Sequence, residues 1–201
     1  MKIYSVGMYR FYRVILTIAF RFVHPIVRVK GRENIPEGAA MLCCNHSAFS
    51  DPIWIILAGK FPTLPRTMAK KEIIETPVLG KILQKLGAFP VDRAHNDIGA
   101  VRTAMRALRD GSKVLIFPEG TRIRRGKTVT PHNGAVLIAY RSHVPVVPIY
   151  LTTKKRFWAP LDIVFGKPFR PDFPEEKPSA EELDACTEKM MREIYDMGAA
   201  L

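Results

Sequence analysis

Several signatures of common enzyme and binding classes are missing from this 201-residue chain. It has three cysteines, two of them adjacent (Cys43 and Cys44), and no C-x-x-C or Cys/His spacing typical of a metal site. No G-x-S-x-G motif is present, which argues against a lipase-type serine nucleophile. Repeats and low-complexity segments are also absent, and the hydrophobic content of 47% argues against disorder. We therefore expect a protein with a substantial apolar core. We also expect it to reside in a reducing, cytosol-facing compartment.

Acidic residues are scarce relative to basic ones. The chain has 19 Asp and Glu against 31 Lys and Arg, which gives a net charge of +12. This charge indicates an anionic partner: nucleic acid, anionic lipid, a phosphorylated small molecule or an acidic carrier protein. The basic residues are dispersed, and the aromatic residues do not alternate with cations as a base-stacking surface requires. We therefore expect no nucleic acid partner. A non-catalytic cationic module that binds anionic lipid is the alternative to an enzyme.

A long uninterrupted apolar run is absent, although residues 3–23 are mostly apolar. Three arginines make a membrane-spanning helix costly, and a signal-peptide cleavage site is missing. We predict that residues 1–25 form an amphipathic helix on a membrane surface, followed by a domain at 26–201. A core helix with one wet face is the alternative. The predicted polar stripe has three- and four-residue spacing and consists of Arg10, Arg13, Thr17, Arg21 and His24.

Short apolar runs alternate with helix-like segments along the rest of the chain. The runs at residues 39–44, 114–116 and 144–151 predict buried strands. Their alternation with helices predicts an α/β fold, with a mostly mixed or parallel sheet flanked by helices. Two prolines in residues 144–151 predict an edge or irregular strand. Pro77 predicts a break in the helical segment around it.

The segment NHSAFSD, at residues 45–51, follows the first of these strands. Asp51, placed before Pro52, predicts the N-cap of a helix. On one continuous helix His46 and Asp51 would lie about 140° apart, so a turn is needed to bring them together. A histidine oriented by a carboxylate can act as a general base toward a substrate hydroxyl, without a side-chain nucleophile. A loop histidine beside a helix cap is the alternative interpretation.

A second polar segment, FPEGTR at residues 117–122, follows another predicted strand. Gly120 allows the backbone to approach an anion, and Arg122 can bind a phosphate through two parallel hydrogen bonds. The amide of Gly120, or amides of the His46 turn, could stabilise an oxyanion. Lys70 is another candidate for binding an anion, although adjacent Lys71 also fits a solvated helix start. A single arginine after a strand is commonly a solvated surface residue.

Together these motifs resemble those of the glycerolipid acyltransferases, specifically the 1-acylglycerol-3-phosphate acyltransferases. NHSAFSD and FPEGTR are similar to two blocks of that family, while GAFPVDR (87–93) and VPVVPIY (144–150) resemble the other two, in the expected order. The resemblance extends from about residue 29 to residue 166. It implies that His46 is the base and Asp51 its partner. The implied acceptor-phosphate site, to which we add Lys70, consists of Glu119, Gly120, Thr121, Arg122 and Arg93.

The resemblance implies an O-acyltransferase with no cofactor beyond its acyl donor and no metal. The donor would be a fatty acyl thioester of coenzyme A or acyl carrier protein, and the acceptor lysophosphatidic acid, which becomes phosphatidic acid. Glycerol 3-phosphate or another lysophospholipid is the alternative acceptor. The expected location is peripheral or monotopic, on the anionic cytoplasmic face of the cell membrane. Residues 154–158, KKRFW, add three cations beside two aromatic rings, which predicts either contact with a membrane interface or a loop tucked into the core.

Overall fold

The computed structural model describes residues 6–92, 97–123, 129–174 and 177–201, except for the side chains of 6–10 and 12. Its strands are β1 (Val27–Lys30), β2 (Ala40–Cys44), β3 (Arg66–Lys70), β4 (Ala88–Val91), β5 (Lys113–Ile116), β6 (Val146–Leu151) and β7 (Leu161–Phe165). Its helices are α1 (Val6–Val23), α2 (Asp51–Gly59), α3 (Lys71–Ile74), α4 (Leu79–Lys85), α5 (Ile98–Arg109), α6 (Gly134–Arg141) and α7 (Ala180–Ala199).

The seven strands form one mixed sheet in the order β1-β7-β6-β2-β5-β3-β4. Strands β6, β2, β5, β3 and β4 are parallel, whereas β7 pairs with β6 in the antiparallel direction and β1 runs parallel to β7. This architecture confirms the predicted α/β class. The five parallel strands bring their carboxyl ends to one edge of the sheet, which we call the carboxyl edge. In open α/β sheets, ligands bind at this edge.

Strand β2 lies near the middle of the sheet, and all five of its residues are buried. Met41 and Cys43 pack into a core shared with α5, α6 and α7. Ala40, Leu42 and Cys44 pack into a second core on the opposite face, shared with α2. A strand covered on both faces is continuously apolar rather than alternating, as the sequence of β2 is. The turn after β2 therefore starts from a rigid support.

The prediction that residues 144–151 form an edge strand is wrong, because β6 lies between β2 and β7. Pro145 precedes the strand, so it interrupts no pairing within it. Pro148 lies beyond the last pair with β7, Ile149 with Phe165. Its carbonyl still accepts a hydrogen bond of 2.8 Å from the Gly166 amide. An internal strand accommodates both prolines because each falls where a missing N–H breaks no ladder bond with β7.

Local signals for helix ends agree with the structure more closely. The break predicted at Pro77 is confirmed, since α3 ends at Ile74 and α4 begins at Leu79. The N-cap prediction for Asp51 is wrong by one residue, because Ser50 is the N-cap and Asp51 opens α2. The Asp51 side chain is consequently directed to the preceding turn.

The amino-terminal helix α1 contacts the body through Phe20, whose ring packs edge-on against Trp54 at 4.9 Å. The placement of His24 on the polar stripe is wrong: its Nδ1 lies 2.8 Å from the Ala159 carbonyl oxygen, and the residue is buried. Because α1 ends at Val23, the chain turns inward there. The side chain of Arg10 lies outside the described set. Within the described residues, no helix combines the length and hydrophobicity needed to span a bilayer.

Several large apolar side chains of α1 are exposed. We call this set the α1 apolar face: Phe11, Val14, Ile15, Ile18 and Phe22. Ile18 and Phe22 are 68% and 70% exposed. Phe157 and Trp158 are also exposed, and the Trp158 amide donates to the Val23 carbonyl at the end of α1. The β6–β7 loop therefore continues this apolar surface.

Candidate active site

The turn that carries His46 is held to the neighbouring strand β6. The buried Asn45 side chain donates to the Leu151 carbonyl and accepts from the Leu151 amide, both at 2.8 Å. This pair of hydrogen bonds extends the β2–β6 ladder by one side chain. It fixes the point at which the chain leaves the sheet, and so it fixes where the His46 side chain begins.

His46 and Asp51 meet across the turn, as the sequence predicted. The imidazole Nδ1 lies 2.9 Å from Asp51 Oδ2, and the same oxygen accepts hydrogen bonds from the amides of Ser47 (2.6 Å) and Ala48 (2.8 Å). The His46 ring stacks on Phe117 with centroids 4.1 Å apart, and 12% of its side chain is exposed. With Nδ1 directed at the carboxylate, Nε2 is the ring nitrogen left for proton transfer with a substrate.

Asp51 is fully buried yet stays ionised at neutral pH. Burial alone would raise its pKa, but the hydrogen bond from His46 and the charge and hydrogen bond of Lys155 outweigh it. The pKa of this carboxyl therefore lies below its usual value. An ionised Asp51 can hold the imidazole and stabilise the imidazolium that forms when His46 accepts a proton.

Lys155 is a site residue that the sequence interpretation missed. Its Nζ lies 2.8 Å from Asp51 Oδ1, and it donates to Ser47 Oγ at 2.7 Å and to the Thr152 carbonyl at 2.6 Å. Only 9% of its side chain is exposed, so within the KKRFW segment this lysine is directed into the protein while Phe157 and Trp158 are exposed. The contact follows from the strand order. Because β6 lies next to β2, a residue just beyond β6 reaches the carboxyl edge beside the end of β2.

The FPEGTR loop wraps the same turn from the β5 side. Glu119 is 3% exposed; its Oε2 accepts from the His46 amide at 2.7 Å and its Oε1 from the Tyr195 hydroxyl. Burial raises the pKa of the Glu119 carboxyl. The Ile123 amide donates to the His46 carbonyl at 2.8 Å. Both oxygens of Glu119 thus contact protein donors, which places this side chain beneath His46.

Gly120 occupies a position that strongly favours glycine. Its φ is +64°, and an added Cβ would lie 2.7 Å from a ring carbon of His132. Its amide donates to the Phe117 carbonyl at 3.0 Å, so this N–H closes the turn. The amides of His46, Ser47 and Ala48 likewise donate to Glu119 or Asp51. These four amides are therefore not the oxyanion donors that the sequence interpretation considered.

Arg122 lies on the exposed side of the loop, next to Thr121. Its guanidinium carbon is 3.6 Å from the centroid of the exposed Phe49 ring, which belongs to the His46 turn. The ring covers one side of the guanidinium, and the N–H groups at the guanidinium edges can still bind a phosphate. The structure thus brings Arg122 beside the turn that carries the base.

Lys70, another predicted phosphate ligand, lies farther along the carboxyl edge. Lys70 ends β3, is exposed, and pairs with Glu72 at 2.9 Å. Arg93 lies outside the described residues, two positions after the end of β4. At about 4.8 Å per strand, β5 is about 5 Å, β3 about 10 Å and β4 about 14 Å from β2. Of the predicted basic ligands that the structure describes, Arg122 follows β5, which is next to β2, whereas Lys70 ends β3, one strand farther away.

A cavity of about 740 Å³ opens at the ends of β3 and β4, beside Lys70. Its volume is in the range of pockets that hold small organic ligands. Lys71, Ile74, Pro77, Lys81, Pro90 and Asp92 are among the residues that line it. The lining combines apolar side chains with two lysines and three acidic residues, Glu75, Asp92 and Asp97, so its charge does not favour an anion.

The adjacent thiol of Cys44 does not offer a nucleophile. Cys44 is fully buried, and burial raises the pKa of its thiol well above the usual value, with a further contribution from Asp51. A protonated, inaccessible thiol neither attacks nor ligates a substrate. Of the groups around His46, the Cys44 thiol is therefore excluded as a nucleophile, and the imidazole Nε2 is left for proton transfer.

Comparison with known proteins shows which sequences this chain resembles. A family model described as "Acyltransferase" matches residues 26–152. A 1-acyl-sn-glycerol-3-phosphate acyltransferase of Bacillus subtilis is 32% identical over 177 residues, which are 85% of this chain and 87% of that protein. A chloroplastic enzyme of the same name from Arabidopsis thaliana is 28% identical over 73% of this chain and 38% of its own length.

A solved structure agrees with these sequence matches. The crystal structure of the 1-acyl-sn-glycerophosphate acyltransferase PlsC from Thermotoga maritima superposes with a TM-score of 0.69 at 27% identity. The match includes 93% of this chain and 78% of the other. The chain therefore belongs to the glycerolipid acyltransferase family, as the resemblance of its motifs implied.

Proposed function

We propose that this protein is a 1-acyl-sn-glycerol-3-phosphate acyltransferase that moves a fatty acyl group from a thioester to the free hydroxyl of lysophosphatidic acid, giving phosphatidic acid. The observation that carries the proposal is the His46–Asp51 pair, 2.9 Å apart, on a turn whose Phe49 ring holds the Arg122 guanidinium. A base and a phosphate ligand on adjacent strands match an acceptor that has a hydroxyl and a phosphate on one glycerol. The names of the bacterial and plant relatives support the same acceptor.

In the proposed reaction, His46 Nε2 removes the hydroxyl proton as the acceptor oxygen attacks the thioester carbonyl. The new C–O bond forms, the C–S bond breaks, and the imidazolium returns its proton to the departing sulfur. Asp51 holds the ring and stabilises the imidazolium meanwhile. General-base catalysis of this kind contributes a factor of about 10²–10⁴ in rate. No cofactor beyond the acyl donor enters these steps.

Arg122 is the proposed principal ligand of the acceptor phosphate, with Thr121 beside it and Gly120 shaping the loop. Lys70 would join after exchanging Glu72 for the phosphate, and Arg93 is proposed from the resemblance alone. For Glu119 we propose a different role, since its two oxygens contact the His46 amide and the Tyr195 hydroxyl. It would fix the backbone of the base, while a second anion at the phosphate itself would be repulsive.

The acyl donor is proposed to be a thioester of coenzyme A or acyl carrier protein. Both are anionic, and a net charge of +12 attracts either one. Glycerol 3-phosphate and other lysophospholipids are the alternative acceptors. Steady-state rates with each donor and each acceptor at equal concentration distinguish these pairs, because the true pair has the highest kcat/KM.

We further propose that the protein docks on the anionic cytoplasmic face of the cell membrane as a peripheral or monotopic protein. The exposed α1 apolar face, with Phe157 and Trp158, would enter the interface. A groove of about 330 Å³ beside it is bordered by basic side chains that suit anionic headgroups. Those side chains are Arg13, Arg21, Arg32 and Lys60.

His46→Asn tests the proposed activity. The Asn amide can still donate to Asp51, so the turn is retained while the basic nitrogen is lost. With purified protein, labelled acyl thioester and lysophosphatidic acid, we expect kcat to fall at least about 10²-fold. The matched control is His143→Asn, an exposed histidine with a φ of 52° that asparagine tolerates. Its kcat should stay within twofold of the wild type.

Equal turnover in His46→Asn and wild type would remove His46 from the reaction. Wild-type protein that binds lipid but transfers no acyl group, with any donor or acceptor tried, would favour the cationic lipid-binding module instead. That alternative predicts binding that falls with salt and is insensitive to His46 and Asp51.

A further inference from the structure

The Lys155 side chain places a buried cation against the pair formed by His46 and Asp51. It enters from the β6–β7 loop and contacts three separate groups: Asp51 Oδ1, Ser47 Oγ and the Thr152 carbonyl, all within 2.8 Å. The two Asp51 oxygens thus have different partners, since Oδ2 holds His46 and Oδ1 faces the ammonium. This arrangement is built from two strands and is not a chance surface pair.

A charge count shows what the ammonium contributes. With a neutral imidazole, Asp51 and Lys155 sum to zero. Without Lys155, the same state carries one uncompensated buried negative charge, and protonation of His46 would neutralise it. Opposite charges at such distances change protonation equilibria by one or more pH units. The buried lysine therefore opposes protonation of the base when no substrate is bound.

We propose that Lys155 is a positioning residue that balances the charge of Asp51 and thereby favours the neutral imidazole of His46, the form that can accept a proton. This role rests on the proposed function of His46 as general base. It also explains why the lysine is directed inward although its neighbours Lys154 and Arg156 are exposed. A membrane-facing or solvent-facing cation would have no reason to lose its hydration here.

Other charged or titratable groups face the same pair. Glu119 lies behind the His46 backbone with Tyr195 as its partner, and Cys44 lies on β2 beneath Asp51. Cys44 is protonated and contributes no charge. Burial raises the pKa of the Glu119 carboxyl; when that carboxyl is ionised, its charge on the far side of His46 increases the need for a cation at Asp51. Among the lysines and arginines that the structure describes, Lys155 is the one in contact with the Asp51 carboxylate.

Lys155→Met tests the proposal because methionine keeps most of the aliphatic length and removes the charge. We expect the acid side of the pH profile of kcat/KM, which reports groups of the free enzyme, to move upward by about one pH unit. The loss in kcat/KM would approach tenfold below the wild-type midpoint and largely disappear well above it. Lys155→Arg, which keeps the charge, should leave the midpoint within about 0.3 units. Lys154→Met is the matched control at the exposed neighbour and should not move the midpoint.

A second readout is independent of acyl transfer. The imidazole titration of His46, followed by NMR and assigned with His46→Asn, should have a higher midpoint in Lys155→Met than in wild type. The double variant Asp51→Asn with Lys155→Met tests whether Lys155 acts on the His46 midpoint through Asp51. The midpoint difference between this double variant and Asp51→Asn alone should be less than half of the shift that Lys155→Met causes on its own. Circular dichroism verifies that each variant is folded. This double variant also leaves no unpaired buried charge, so it serves where Lys155→Met folds poorly.

The outcomes separate the two proposals. An unchanged midpoint in Lys155→Met by both readouts, or an equal shift in Lys155→Arg, would overturn the role of Lys155. A shifted imidazole titration in a protein that transfers no acyl group would overturn the proposed function and leave the charge-balancing role in place. A shifted pH profile of the reaction and a shifted His46 titration by NMR, observed together, would support both proposals.

Discussion

Asp51 is the residue whose burial and pKa are most closely linked to the proposed chemistry. It is fully buried, and burial opposes its ionisation, while the hydrogen bond from His46 and the charge of Lys155 lower its pKa. A carboxyl whose pKa is lowered on folding stabilises the folded state above its unfolded pKa. That contribution is lost as the pH falls through the folded pKa.

Asp51→Asn should therefore remove part of the acid dependence of stability. We expect the number of protons taken up on acid unfolding to fall by up to about one, measured from urea unfolding between pH 2 and pH 6. At pH 7 the variant should lose about 3 kcal/mol, because the buried Lys155 ammonium is left without its carboxylate. Asp162→Asn is the control: its partner Arg28 is largely exposed, so we expect a loss below about 1 kcal/mol. Equal losses in both variants would contradict this account.

Phe49 is exposed, and its ring forms one side of the proposed phosphate site by stacking with Arg122. In Phe49→Leu the apolar bulk stays but the aromatic face is lost, so the guanidinium is less ordered before the acceptor binds. An exposed cation–π pair contributes about 0.5–1 kcal/mol, which predicts a two- to fivefold higher KM for the acceptor. The measurement is KM for lysophosphatidic acid, with kcat as an internal control.

Phe49→Tyr is the matched control because tyrosine keeps the aromatic face, and its KM should stay near the wild-type value. If the leucine and tyrosine variants have the same KM, the stacking does not prepare Arg122 for the phosphate. A change in kcat without a change in KM would instead place Phe49 in the support of His46.

The elements of the fold show how far the sequence alone could go. The three buried strands predicted from apolar runs occur as β2, β5 and β6, because β2 and β5 are buried along their whole length and have continuous apolar sequences. The meeting of His46 with Asp51 was predictable as well, since a strand, a turn and a helix start follow one another within seven residues. These are local signals, and propensity and turn chemistry decide them.

What the sequence could not provide is the order of the strands. Lys155 is 104 positions after Asp51 in the chain and meets it because β6 lies next to β2. Glu119 looked like a phosphate ligand in its motif, but the Tyr195 hydroxyl and the His46 amide reach it only in the folded chain. A loop sequence such as KKRFW has no periodicity that distinguishes an inward lysine from an outward one. Only tertiary contacts determine whether such a side chain is buried or exposed.

Helix α1 contributes a testable surface at the scale of the element. Ile18→Asn with Phe22→Ser replaces two side chains of the α1 apolar face that contact little in the protein. Each buried apolar side chain contributes about 1.5–3 kcal/mol, so binding to vesicles should weaken at least tenfold. Co-sedimentation with vesicles of anionic phospholipid measures this loss, and the melting temperature should change little.

Leu79→Ser with Ile82→Asn is the matched control, because these two side chains of α4 are also half exposed. We expect this pair to bind vesicles as the wild type does. Equal weakening by both pairs would mean that membrane contact is not specific to α1, and no weakening by the α1 pair would remove the helix from the proposed docking surface.

At the scale of the whole molecule, one edge of the sheet collects the proposed machinery. The base comes from the end of β2, its charge-balancing lysine from the end of β6, and Arg122 from the end of β5. Helix α1 reaches this region through the β6–β7 loop, where Trp158 hydrogen-bonds to Val23. Lys155 and the exposed Phe157–Trp158 pair are thus two or three residues apart in one loop. Docking that loop on a membrane would bring the lipid surface to the base.

The net charge of +12 makes one prediction for the whole protein. Attraction of dispersed basic residues to an anionic bilayer contributes about 1 kcal/mol for each residue near the surface and is screened within about 8 Å at physiological salt. Binding to anionic vesicles should therefore weaken steeply between 50 and 500 mM salt, whereas binding to neutral vesicles should be weak and nearly independent of salt. With a short-chain, water-soluble acceptor at saturation, kcat should change less than twofold over the same range, because His46, Asp51 and Lys155 are buried or nearly so and are screened little. A kcat that falls in parallel with vesicle binding would mean that the bilayer completes the active site as well as delivering the substrate.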